Sequence, residues 1–199
     1  MPKNQSKLVT SEMMQEGVKP LLFTGGACNI QDTSGPVRNP GRDPLAAWLN
    51  QKGWSYFDPQ IHPTTHGRGY EWEKDGPQEK RARELARLRV YEITATTISA
   101  VAMLEIMDDA RLGRDSIVWF NGGEDFAPIG LGNYEKLSAD KELAQKIGET
   151  AHSHLLAYVN AGRHIRLEVP KMLADCPYIS IVYSLEDLKK AISAILGSW

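Results

Sequence analysis

One carboxylate in this chain occupies a position that ordinary packing does not explain. In the run T-T-I-S-A-V-A-M-L-E-I, residues 96–106, Glu105 follows Val101, Ala102, Met103 and Leu104 and precedes Ile106. Asp108, Asp109 and Arg111 supply the solvent face of the same helix. A carboxylate on the partly apolar side therefore needs a partner or a role. The β-rich residues 90–96 precede the helix across a polar turn, Thr97 to Ser99. Open α/β sheets bind ligands at that junction, just past the carboxyl end of a strand. A helix N-terminus there also favours an anion. Glu105 is the candidate catalytic residue, and a solvated helix face is the competing account.

Other residue groups could contact a ligand. In T-G-G-A-C-N, Thr24, Gly25, Gly26, Ala27 and Asn29 follow an apolar run. Adjacent glycines let the backbone approach a phosphate or sugar closely, although a plain tight turn has the same composition. Arg38, Arg42 and Arg68 stand in two long irregular stretches and could clamp a phosphate or carboxylate, or lie on the surface. Tyr70 and Trp72, set between charged residues, offer ring faces for a nucleobase, whereas Trp48 and Trp54 read as core. The basic run Lys80, Arg81, Arg83, Arg87 and Arg89 alternates with Glu and Ala and reads as a solvated face. His62 and His66 are four apart but lack the glutamate of a zinc-protease helix, and His152 and His154 are two apart, so no metal site is expected.

The elements that must position these residues alternate. Residues 1–18 read as a loose polar arm and 19–199 as one α/β domain. Strands are predicted over 20–24, 54–57, 90–96, 116–120 and 178–183, with a short edge strand over 164–169. Residues 29–43 and 58–76 are rich in Gly, Pro, Asn and Asp and read as loops of the length that is often functional. Helices are predicted after Asp43 with Pro44 at the first position, over 77–89 with Glu79 and Arg83 at ion-pair spacing, through Glu105, over 138–160, and after a Ser184–Asp187 capping box. This alternation predicts a doubly wound, mainly parallel five-stranded sheet with helices on both faces.

Composition narrows the classes. With 42% hydrophobic and 24% charged residues, the 199-residue chain can bury one core. A net charge of -2 gives no reason to expect a nucleic-acid polymer or an anionic membrane as partner. Cys28 and Cys176 form neither a disulfide framework nor a zinc spacing, which fits reduced thiols and a cytoplasmic location. There is no apolar run of membrane-spanning length.

In order along residues 20–125, the segments L-L-F-T-G-G-A-C-N, the Trp48–Leu49 helix, F-D-P-Q, a charged helix and T-T-I-S-A-V-A-M-L-E-I resemble the nucleoside 2-deoxyribosyltransferase family and its N-glycosidase relatives. The resemblance implies a flavodoxin-like fold and retaining chemistry at C1' of a nucleoside or nucleotide, with Glu105 as nucleophile and no cofactor. It also implies a free nucleobase as second substrate and a homodimer or larger homo-oligomer. The family places an acid in the helix before strand three, where this chain has Glu79 and Glu84; Asp58 after strand two is a further candidate. Thr97 and Ser99 replace a more acidic, glycine-rich turn and would meet the sugar. Asn121, with Glu124 and Asp125, would close the site. A sensing module that binds a nucleotide derivative without turnover is the alternative reading of the same crevice.

Overall fold

The computed structural model describes residues 7–26, 29–32, 35–61, 63–94, 100–121 and 134–197. In chain order the elements are α1 (Ser11–Gln15), β1 (Leu22–Gly26), β2 (Asn29–Asp32), β3 (Gly35–Arg38) and, after a 3-10 turn at Pro40–Arg42, α2 (Asp43–Lys52) and β4 (Tyr56–Phe57). Next come α3 (Pro63–His66), α4 (Trp72–Leu85), β5 (Leu88–Thr94), α5 (Ala100–Arg111) and β6 (Ser116–Asn121). The chain continues through α6 (Tyr134–Ala139), α7 (Lys141–Ile147), α8 (Glu149–Leu173), β7 (Ile179–Val182) and α9 (Leu185–Leu196).

Five strands form one sheet in the order β4-β1-β5-β6-β7, and every pairing is parallel. This is the flavodoxin-like α/β architecture, with helices on both faces. All of β5 is buried, as a parallel strand covered on both sides must be. Side-chain alternation divides the core into two layers. Phe23, Tyr91, Ile93, Val118 and Phe120 pack with Ala82 of α4 and with Ala102 and Ile106 of α5. Leu22, Val90, Ile117 and Trp119 pack on the other face with Leu45 and Leu49 of α2 and with Leu188 and Ile192 of α9.

Ser184 caps α9, accepting from the Asp187 backbone N–H at 3.1 Å and donating to its carboxylate at 2.7 Å. Gly53 closes α2 in the left-handed region at φ 73°. Both follow from local chemistry.

Four expectations change. Residues 29–43 contain an antiparallel hairpin, β2 with β3, rather than a structureless loop. The predicted edge strand over 164–169 lies inside α8, which reaches Leu173. Ile165, Val169 and Leu173 recur every fourth residue against the core, so the helical stripe continues past residue 160. Residues 134–160, expected as one helix from 138, are broken by Asp140 and Gly148 into α6, α7 and the start of α8. The fourth is α4, which begins at Trp72, five residues before Pro77. Asp75 accepts from the Glu71 backbone N–H at 2.8 Å and anchors that first turn.

The amino-terminal segment is tied down from Lys7 onward. Tyr56 N–H donates to the Lys7 carbonyl (3.0 Å) and Val9 N–H to the Tyr56 carbonyl (2.7 Å), while Val9 and Met14 are buried in the core. Deleting residues 1–16 should therefore cost about 3 kcal/mol in urea unfolding, from the two lost apolar side chains. An unchanged midpoint would mean the segment is a loose arm.

Candidate functional site

The carboxyl ends of β1, β4, β5 and β6 meet around a buried polar cluster. Glu92 of β5 has 0% exposure. It accepts from Asn39 Nδ2 at 2.7 Å and from Asn121 Nδ2 at 2.5 Å, and the Arg42 guanidinium lies 3.5 Å away. Burial pushes Glu92 above the ordinary carboxylate range, and Arg42 and the two amides pull it back. Arg42 is itself buried. Its Nη1 donates to the Thr24 carbonyl at 2.8 Å and to Asp58 Oδ1 at 3.0 Å. Asp58 also accepts from the backbone and side-chain N–H groups of Gln60.

Two glycines make this closeness possible. A Cβ on Gly26, at φ 112°, would collide with the Glu92 carbonyl, and one on Gly41 would lie 2.5 Å from Glu92 Oε1. Neither position has room for a side chain.

A second group lies between α4 and α5. Trp72, Gly76, Glu79 and Arg83 line one side of a groove of about 250 Å³, and Val101, Leu104 and Glu105 line the other. Burial pushes Glu105 up to about 7; Glu79, Asp109 and Asp108 add repulsion, and Arg83 opposes them. Burial also raises Glu79, against the hydrogen bond from Tyr70 (2.8 Å) and the charges of Arg42 and Arg83. Glu79 additionally lines a cleft of about 270 Å³ toward the amino-terminal segment, shared with Asp58, His66 and Tyr70. Two carboxyl groups, both raised by burial, therefore face one groove, an arrangement in which one can be protonated while the other is ionised.

The structure brings some of the expected residues together and separates others. Glu105, Glu79 and Trp72 line the groove, whereas Tyr70 lines the neighbouring cleft; Trp72 is 67% exposed, with its ring 6.4 Å from that of Tyr70. Asp58, Arg42, Thr24, Gly26 and Asn121 belong to the buried cluster. Arg42 is thus no free phosphate clamp, and Thr24 Oγ1 donates to the Phe57 carbonyl. Gly25 packs against the rings of Phe23 and Tyr91, where a Cβ would sit 2.8 Å from each. Arg68 is engaged with Asp75 through two hydrogen bonds of 2.6 and 2.7 Å, so its guanidinium pins the loop to α4. Glu84 is exposed on α4 and lies outside both clefts. Asn29 lies in β2, and Ala27, Thr97, Ser99, Glu124 and Asp125 lie outside the described residues.

Sequence reading missed two groups. Arg83 and Arg89, assigned to a solvated face, are 8% and 5% exposed. Arg83 turns away from ion-pair geometry with Glu79 and reaches α5. Asp109, assigned to solvent, has 0% exposure. The available signal was three acidic residues at 105, 108 and 109, facing a helix with a matching arginine. Asn39 gave no signal.

Fold and site together define an α/β protein with a carboxylate-lined groove beside the carboxyl edge of its sheet. No protein-family model matches the chain, and no curated protein matches its sequence. Among the described residues, no helix is long and apolar enough to cross a membrane, and no group of three or more His, Cys, Asp or Glu side chains could hold a metal ion.

Removing Arg42 leaves Glu92 and Asp58 buried without their cation. Arg42→Ala should cost about 3 kcal/mol by urea unfolding, the penalty of breaking a buried pair from one side. A loss under about 0.5 kcal/mol, typical of a surface arginine, would place the residue outside the fold's interior.

Proposed function

We propose that the protein cleaves or transfers the N-glycosidic bond of a nucleoside, with Glu105 as nucleophile and Glu79 as acid. The observation that carries this reading is the pair of half-buried carboxyl groups facing one groove, Glu105 pushed up to about 7 by burial and Glu79 raised with it. In such a pair an ionised member can attack while a protonated member donates. Arg83 Nε, 3.8 Å from Glu105 Oε1, favours negative charge on Glu105. Tyr70 O–H donates to Glu79 and orients it, partly offsetting the effect of burial.

In the first step a Glu105 oxygen bonds to the anomeric carbon as the carbon–nitrogen bond breaks. The electron pair of that bond goes to the base nitrogen, and Glu79 delivers its proton to the leaving base. In the second step Glu79, now a carboxylate, takes a proton from water or from an incoming base, which displaces the Glu105 ester. Retention of configuration follows from two displacements. Tyr70 and exposed Trp72 are placed to stack on the base. Arg42 and Arg68 are both engaged with carboxylates, which favours a nucleoside over its 5'-phosphate.

A second reading, a sensing module without turnover, is favoured by one observation. Arg83 Nε lies 3.8 Å from Glu105 Oε1, an ion pair that gives Glu105 a structural reason to be acidic without any chemistry.

Intact-mass spectrometry of wild type and Glu105→Gln, incubated with deoxynucleosides, ribonucleosides and their 5'-monophosphates, tests the first reading. The expected outcome is a sugar adduct, or free base by chromatography, with wild type alone. Ligand binding with neither adduct nor free base in both proteins supports the sensing module instead.

The pH dependence has a definite sign. Protonated Glu105 cannot attack, so kcat/KM should fall about tenfold per unit below pH 7. A rate that stays level between pH 5 and 7 would remove Glu105 from the nucleophile's role.

A further inference from the structure

The groups beneath the groove show what restrains Arg83. From α4 its Nη1 donates to the Glu105 carbonyl (3.1 Å) and to Asp109 Oδ1 (3.3 Å), and its Nη2 donates to Asp108 Oδ2 (3.1 Å). Both terminal nitrogens are thus drawn along α5 toward its carboxyl end. The remaining Nε–H faces Glu105 Oε1 at 3.8 Å, beyond hydrogen-bond reach. It is buried and makes no hydrogen bond among the described residues. Asp109 cannot follow Arg83 outward. It has 0% exposure, accepts the Tyr91 hydroxyl at 2.5 Å from β5, and accepts Arg114 Nη1 at 3.1 Å.

We propose that Asp109 is a positioning residue that holds the Arg83 guanidinium back from the Glu105 carboxylate and denies it a direct charge-assisted hydrogen bond. Without that restraint a guanidinium this near would close on the carboxylate and hold it ionised, as arginine–carboxylate pairs do. Asp109 acts a second time through its own negative charge, which opposes ionisation of Glu105. Among the described residues, the other charged groups around Glu105 are Glu79, Lys80 and Arg83 from α4 and Asp108 on its own helix. Tyr91 acts from β5 on both Asp109 and Arg83. This proposal concerns the groove already assigned to glycosyl chemistry, but the geometry of Arg83 stands without that assignment.

The test follows the Glu105 carboxyl directly, by its side-chain 13C shift between pH 5 and 9, assigned by its loss in Glu105→Gln. Asp109→Asn should lower the midpoint by about one unit, because it removes a repelling charge and loosens Arg83. Arg114→Gln, at a partly exposed residue, should move the midpoint the opposite way by a few tenths, because it leaves Asp109 less neutralised. A midpoint unchanged or raised in Asp109→Asn overturns the proposal. If far-UV circular dichroism shows that Asp109→Asn does not fold, Arg114→Gln decides, and an unchanged or lowered midpoint there overturns it. A purely structural role would lower stability without shifting the two variants in opposite directions. Base release measured on the same samples separates the two ideas. Shifted midpoints with no release from wild type would retain Asp109's role and refute the glycosidic reading, and release with unmoved midpoints would do the reverse.

Discussion

The guanidinium of Arg83 joins the parts of this molecule that form the groove. It leaves α4, crosses to α5, and meets three acidic positions spaced so that 105, 108 and 109 lie along adjoining turns. Through Asp109 it is tied to Tyr91, in the middle strand of the sheet. A planar, permanently charged group with five donors can bridge this many acceptors from one place, and a lysine could not. Because it is buried, each bond is costly to break, so the two helices, the strand and the groove between the helices keep one relative geometry.

A second buried cation performs the comparable task at the end of the sheet. Arg42 reaches the Thr24 carbonyl on β1, Asp58 after β4 and Glu92 on β5. It thereby ties together the three neighbouring strands whose ends border the site. Two buried arginines thus divide the acidic residues into two sets. Asp58 and Glu92 have close cationic partners and serve the architecture. Glu79 and Glu105 lie beside a cation that is held elsewhere and face a groove, whereas Glu92 is fully enclosed; burial raises all three. The difference between the enclosed and the groove-facing carboxylates is one of hydrogen-bond partners and solvent access, since the residue types are the same.

Sheet strands and capped helices were legible because their signals are local. The apolar runs at 22–23, 88–93 and 116–120 fit buried parallel strands, and Ser184 with Asp187 marked a helix start that depends on four consecutive residues. The helix carrying Glu105 was legible for a related reason, but its faces were not: Val101 and Leu104, which read as the apolar side, are exposed, and Asp109, which reads as solvent face, is buried. The errors arose where one pattern had two readings. Val169 and Ile165 fit a short strand or a helical stripe, and only the partners on the core face separate these. Arg42 and Arg68 had the composition of surface clamps, and their carboxylate partners stand sixteen and seven residues away.

The sequence by itself determined the alternation of strands and helices, the five parallel strands and the position of Glu105 on a helix following the central strand. Each of these rests on hydrophobic period or capping within a few residues. Only the tertiary structure decided which charged residues are interior. Arg42, Arg83, Glu92 and Asp109 are as polar as the solvent-facing residues beside them in the chain. Their burial depends on meeting an opposite charge or an amide across the fold, and a buried charge is tolerated only where such a partner waits. That pairing is a property of the assembled chain, and no local pattern encodes it.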